Sequence, residues 1–199
     1  MKSPDIALVY NEHLPTDLFS EFEESISNHG LTVKVESKPE DGPYACHEWF
    51  ILTTAAAFVA SSYFSGFLKE AGKDHYQALK SGLSGLTNKV MSIPKIEPVM
   101  IGTKGKISSN NPYTLAFSIY AEANDGNRFK LLLPKPHDID DYTEIVYVFL
   151  EFLNNYHSGV SSLENIGFEL ETKPPSSLIF VHMNQETKKI EWLDERKYR

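Results

Sequence analysis

The sequence predicts an α/β protein, with a parallel βαβ layer in its N-terminal part and an antiparallel α+β half (hairpin, long helix, hairpin) in its C-terminal part. Two observations carry this reading. The apolar run Ile6-Ala7-Leu8-Val9-Tyr10, a helical pattern and the alternating run Leu31–Glu36 follow one another near the start of the chain, which is the order of a βαβ unit. Further on, Tyr113, Leu115, Phe117 and Ile119 alternate, Asp125-Gly126 marks a turn, and Phe129, Leu131 and Leu133 alternate back, the pattern of a β-hairpin. The change of character divides the chain into residues 1–102 and 103–199, either two lobes of one domain or two small domains sharing an interface.

The first strand is apolar throughout, as suits a strand covered on both faces. Pro15 stands where a helix can begin, because its missing N–H would have no helical partner there. Leu18, Phe22 and Ile26 then form one apolar stripe among Glu21, Glu23 and Glu24. His29 suits the negative end of that helix, and Gly30 can take the left-handed conformation after it. Leu31, Val33 and Val35 alternate with Thr32, Lys34 and Glu36, and the βαβ order makes this strand parallel to the first. Pro39-Glu40-Asp41-Gly42-Pro43 is a turn by composition.

The twenty residues Trp49–Leu68 carry no charge. As a membrane span they are too poor in large apolar side chains, with a mean hydropathy of roughly 1.4, below what a window scan requires. Two other readings remain open. One is a single buried helix; the other is a short helix Tyr44–Thr54, a strand Ala55–Ser61 and a new helix from Phe64. The split continues the alternation of strand and helix, so that the first hundred residues read as parallel α/β. From Phe64, the residues Leu68, His75, Leu79, Leu83 and Leu86 share one helical face, and Gly82 and Gly85 are expected to weaken its end. Pro98–Gly102 is a possible strand, and residues 103–112 are a loop. Ile139, Tyr142, Val146, Phe149, Leu153 and Tyr156 keep a helical period with Gly159 as a stop, and Ser177–Met183 with Lys189–Leu193 make a second hairpin.

Charge and composition narrow the function. With 19 Lys+Arg against 27 Asp+Glu the net charge is −8, which disfavours binding to a nucleic-acid backbone. The single cysteine, Cys46, excludes a disulfide framework or multi-cysteine zinc site and reads as an inert buried thiol. Met1-Lys2-Ser3-Pro4-Asp5 is not a signal-peptide pattern, and with no Asn-x-Ser/Thr acceptor a cytoplasmic address is expected.

Recognisable motifs fail one by one. The run Gly102-Thr103-Lys104-Gly105-Lys106-Ile107 lacks the first glycine and final hydroxyl of a phosphate loop, although Lys104 and Lys106 remain able to touch an anion. No two histidines have helical metal-pair spacing, so no metal site is expected. In His137-Asp138-Ile139-Asp140-Asp141 the acids read as an N-cap and the first turn of the following helix.

Two candidate groups remain. Glu70, Lys73, His75 and Tyr76 place an acid, a base, an imidazole and a phenol within two helical turns; they read as a solvated face with a core histidine, or as catalytic Glu70 and His75 beside a ligand-binding Lys73. Glu48 abuts the uncharged run, where partial desolvation would raise its pKa toward general acid/base use, with Trp49 as a stacking surface; it equally reads as the solvent end of that segment.

Across roughly residues 4–75 the order of features resembles a TIR domain, a flavodoxin-like signalling module. The residues that carry the resemblance are Ile6–Tyr10, Leu31–Glu36, Gly42 and the run Ala60-Ser61-Ser62-Tyr63 before a helix with Phe67 and Glu70. The resemblance implies that Ser61 or Ser62, Tyr63 and Ser65 match the family's Ser…Tyr…Ser run, and that Glu70 is the carboxylate used by members that cleave NAD. The chain departs from the family's pattern at two points: the spacing from Tyr63 to Glu70 is about two residues short, and Phe67-Leu68 replaces the usual Trp-Cys pair. The second half has no counterpart in the family.

The expected function is therefore a cytoplasmic protein-binding or signalling module, acting on a protein partner or by self-association. The alternatives are a small NAD-cleaving hydrolase using Glu70, with Tyr63 or Trp49 stacking on a ring, and a membrane-active protein working through residues 49–68.

Overall fold

The computed structural model of the protein describes residues 4–39, 53–64, 72–94, 111–136, 139, 141–169 and 171–195. Within them the alternating runs become strands of a single sheet: β1 (Ile6–Asn11), β2 (Val33–Lys38), β3 (Ala55–Val59), β4 (Phe117–Glu122), β5 (Arg128–Leu131), β6 (Leu178–Met183) and β7 (Ile190–Trp192), in the order β2-β1-β3-β4-β5-β6-β7. The helical patterns become α1 (Thr16–Ser27), α2 (Gly72–Met91) and α3 (Thr143–His157). Both parts of the chain share the sheet, joined where β3 runs parallel to β4.

The N-terminal parallel βαβ unit and the two C-terminal antiparallel hairpins are present as expected. The direction of β3 differs from a wholly parallel first half: it lies antiparallel to β1. The sheet is built from three parallel pairs, β1/β2, β3/β4 and β5/β6, with α1, α2 and α3 lying between the paired strands in sequence. Antiparallel contacts β1/β3 and β4/β5 join one pair to the next.

Strand β3 also settles how the uncharged run folds. Ala55–Val59 lies between β1 and β4, so residues 49–68 are neither one helix nor a membrane span. No helix among the described residues is long and apolar enough to cross a membrane. The short helix expected over Tyr44–Thr54 and the strand expected over Pro98–Gly102 lie, for the first almost wholly and for the second wholly, outside the described residues.

One row of side chains, Val35, Leu8, Ala57, Ile119, Leu131, Val181 and Trp192, crosses all seven strands in register. It belongs to the face that packs on the helices, and its five central members are essentially inaccessible. Helix α1 buries Phe19, Phe22 and Ile26, and Phe19 stacks on Tyr10 with ring centroids 3.9 Å apart. The sequence stripe assigned this place to Leu18, which is only half-buried. Gly30 takes φ +79°, the left-handed conformation expected after the helix.

Helix α2 lies between α1 and α3 and touches both. Gly82 and Gly85 do not end it, since it continues through both to Met91. A Cβ on Gly82 would lie 2.5 Å from Ile26 Cδ1 and 3.2 Å from Phe22 Cε2, so the missing side chain is what lets α1 approach. Leu79, Leu83, Leu86 and Val90 are buried.

Helix α3 starts later than its acidic run suggested. Asp141 precedes it, outside the first turn, and accepts the Thr143 N–H at 2.8 Å; Asp138 and Asp140 lie outside the described residues. A second cap arrives from α2: Asn88 Oδ1 accepts the Tyr142 N–H at 2.8 Å, and Asn88 Nδ2 donates to Asp141 Oδ1 at 2.9 Å. Caps of this kind satisfy N–H groups that the helix itself leaves without partners.

The two glycines of α2 yield opposite predictions. Gly82→Ala forces its Cβ into Ile26 and is expected to lower stability by about 1–3 kcal/mol, the usual cost of overpacking. Gly85 has nothing within 4 Å of its Cβ position, so Gly85→Ala is expected to raise stability by about 0.5–1 kcal/mol through helix propensity alone. Urea denaturation of both variants against the parent measures both signs.

Candidate functional site

A cleft at the carboxyl ends of β3 and β4

Parallel strands β3 and β4 end side by side, and Ser61 follows the first while Glu122 closes the second. Glu122 Oε2 accepts the Ser61 N–H at 3.0 Å and the Ser61 Oγ–H at 2.8 Å. These two bonds hold the Glu122 carboxyl below the ordinary carboxylate range, helped by the nearby charges of His157 and Arg128 and opposed by partial burial. The Ser61 hydroxyl is therefore a donor to a carboxylate and does not bond to an imidazole.

Beside this pair lies a cleft of about 220 Å³, lined among the described residues by Pro4, Ala7, Phe58, Ala60, Tyr120, Ala121, Glu122 and Arg128. Its floor is the sheet face away from the helices, where Ala7, Phe58, Tyr120 and Lys130 stand in register on adjacent strands. Phe58 stacks on Tyr120 at 4.8 Å, and the Lys130 ammonium lies 5.5 Å from the centre of the same ring. Burial pushes the Tyr120 phenol far above its ordinary value, with Arg128 opposing. Arg128 stands opposite Glu122 in the β-ladder and forms no ion pair among the described residues.

No described helix covers this second face, yet Ala56, Ser118, Tyr120, Lys130 and Phe180 on it are buried. Lys130 is 1% exposed. Sequence reasoning missed it, because Phe129, Leu131 and Leu133 assigned Lys130 to the opposite and hence solvated face. Leu132 and Phe180, apolar on that same side, were the available signal that both faces are covered.

A larger cavity of about 480 Å³ opens elsewhere on the sheet, beside the carboxyl end of β6, against Tyr113, Pro134, Ile145, His182 and the turn Asn184–Glu186. Burial lowers the pKa of His182, with Glu191 opposing. His157, at the end of α3, shares Nδ1 with Asn124 Oδ1 at 2.9 Å and stacks on Phe64. Its pKa is likewise lowered by burial, against the carbonyl and carboxylate of Glu122.

Placement of the residues singled out in the sequence

Glu48, Trp49 and Glu70 lie outside the described residues, as do Cys46, Lys104 and Lys106. Lys73 is exposed on α2. His75 is half-buried under the end of α1, its Cε1 3.3 Å from where a Cβ on Gly30 would stand. Tyr63 is fully buried and meets Phe64 edge-on at 5.1 Å, so neither face of its ring is open to solvent. Burial, with Tyr76 and Asp5 nearby, raises the Tyr63 phenol far above its ordinary value. None of these three lines the cleft. Among the described residues no group of three or more His, Cys, Asp or Glu side chains could hold a metal ion. No family model, curated protein or solved structure matches the chain.

The titrating groups predict acid sensitivity. Burial lowers the pKa of His157 and His182 in the fold, so the unfolded chain binds more protons once the pH drops below about 6.5. Their contribution is complete above that value and is lost as pH falls toward the lower folded pKa values. Glu122 adds stability that is present above about 4.5 and is lost as pH falls through its lowered folded pKa. The thermal midpoint is expected to fall between about pH 7.5 and about pH 5, and the double variant His157→Asn/His182→Asn should show a smaller fall over the same interval. An equal fall in parent and variant would remove the two imidazoles as its cause.

Proposed function

We propose that the protein is a binding module of the cytoplasm whose partner is another protein, and that the cleft beside β3 and β4 receives one side chain of that partner. The observation that carries this reading is the size and chemistry of the cleft. Small-molecule and cofactor pockets usually enclose about 300–1,000 Å³, whereas about 220 Å³ matches a single large side chain. Protein interfaces often concentrate their binding energy in such an anchor, surrounded by a polar rim. The stacked Phe58 and Tyr120 rings supply the apolar wall. At the rim Glu122 is held in place by Ser61, while the Arg128 guanidinium can meet a partner's carbonyl or carboxylate.

The test begins with a photo-crosslinking residue in place of Arg128, which is exposed, to identify the protein that seats there. Its affinity is then measured against two variants, Arg128→Glu at the rim and Ala60→Met inside the cleft. Each is expected to weaken binding by about tenfold or more, roughly 1.4 kcal/mol, with circular dichroism and thermal midpoint unchanged. A captured partner whose affinity is the same for the parent and both variants would remove the cleft from the reading.

The second reading is an NAD-cleaving enzyme that works through Glu70. One observation favours it: the run Ser61-Ser62-Tyr63 lies just beyond β3, with only Ala60 between, near the strand end to which the resemblance assigns it. The antiparallel entry of β3 beside β1 departs from a flavodoxin-like sheet. NAD turnover by the parent that disappears in Glu70→Gln, with the fold intact, would replace the module reading with an enzymatic one.

A further inference from the structure

Strand β2 is one edge of the sheet and has β1 as its only neighbour among the described strands. The other edge, β7, is three residues long, while β2 is twice that length. The direction of its free hydrogen-bonding groups follows from its pairing with β1. The Thr32 carbonyl accepts from Asp5 and Ile6, and the Lys38 carbonyl accepts from Glu12, so even-numbered residues of β2 point their backbone groups at β1. Val33, Val35 and Ser37 therefore turn their N–H and C=O groups outward.

A free edge of this kind can template another strand; charged side chains or proline there discourage pairing, unless the second edge answers each charge with its opposite across the ladder. The edge of β2 carries Lys34 and Glu36, two opposite charges one residue to either side of Val35. Both side chains are more than half exposed, and within the strand they pair with each other at 2.6 Å. We propose that this edge pairs with the same edge of a second copy of the chain, antiparallel, about a two-fold axis at Val35.

In that register Val35 faces Val35 of the second copy as a hydrogen-bonded pair, and Val33 faces Ser37 on both sides. Every outward backbone group of Val33, Val35 and Ser37 is then satisfied. Lys34 falls opposite Glu36 of the second copy, and Glu36 opposite its Lys34, at non-hydrogen-bonded positions where side chains come closest. Other registers do worse. An axis at Lys34 or Glu36 sets a charge against itself and turns the wrong backbone groups outward. An axis at Val33 sets Lys34 against Thr32 and forms neither ion pair. An axis at Ser37 sets Val35 against Pro39, which has no N–H to donate. The contact stands independently of the cleft and of any partner seated there.

Sedimentation of the full chain over concentrations up to about 1 mM, beyond what a small, polar contact needs, tests this. A concentration-dependent dimer is expected. Lys34→Glu and Glu36→Lys should each weaken it by about tenfold or more, because like charges then oppose across the axis. Mixing those two variants should restore a heterodimer of parental affinity, since each Glu then faces a Lys. Circular dichroism serves as the control for folding. A chain that stays monomeric throughout, a dimer indifferent to both variants, or a mixture that fails to recover the dimer would each overturn the proposal.

Discussion

The position of α2 is the constraint on which the rest of the structure depends. It is the middle helix of a one-sided layer, and it fixes its two neighbours by different physics. Toward α1 it offers the absence of a side chain at Gly82, so that Ile26 and Phe22 come within van der Waals distance of its backbone. Toward α3 it offers an amide, Asn88, which satisfies the Tyr142 N–H and anchors Asp141. Beneath it the alanines of β3 at positions 55 and 57 are both fully buried in the main core. Small side chains in a central strand leave room for Leu79, Leu83 and Leu86 on the helix above, and filling that space to crystal-like density is where most of the stabilisation arises.

What the sequence revealed of this arrangement follows the range of the interaction involved. The βαβ unit, both hairpins and α3 were legible because periodicity and turn residues are local. The Ala55–Val59 strand was legible only as one of two readings, since alanine favours helices intrinsically and it is the neighbouring strands β1 and β4 that make this segment a strand. Gly82 was misread for the same reason: locally a glycine weakens a helix, but here the close approach of Ile26 outweighs that cost. Phe22 and Ile26 hold the buried stripe, while Phe19, stacked on a ring from another element, is buried beside them and Leu18 packs at the edge.

The candidate site was less legible than the fold. Its residues, Phe58, Tyr120, Glu122 and Arg128, come from three strands that meet only when the sheet forms. None has a spacing that marks it in the chain. The residues that did attract attention as a group, Glu70, Lys73, His75 and Tyr76, stand within seven positions of the chain and therefore look convergent in sequence. Tyr63, which lies beyond β3, is buried among Phe64, Tyr76 and Asp5. A run that is dense in chemistry along the chain need not be dense in space, while a β-ladder brings together side chains with long separations between them.

The two faces of the sheet differ in what they bury. The helix face is apolar along its whole central row, whereas the other face sets Ser118, Tyr120 and Lys130 into an otherwise apolar setting. A buried ammonium costs several kcal/mol in desolvation unless its interactions offset it, and Lys130 has interactions besides its approach to the Tyr120 ring. Leu132, two residues along on the same side, shows that this face accepts leucine. The Lys130 side-chain nitrogen lies 5.5 Å from the centre of the Tyr120 ring, whose neighbour on the other side of the ladder is Phe58, so a cation–π contact adjoins the aromatic wall of the cleft. Two basic side chains thus stand on this part of the sheet in different settings, Arg128 exposed at the rim of the cleft and Lys130 buried in the same face, so a change at the rim reaches solvent while a change at position 130 is felt first in packing.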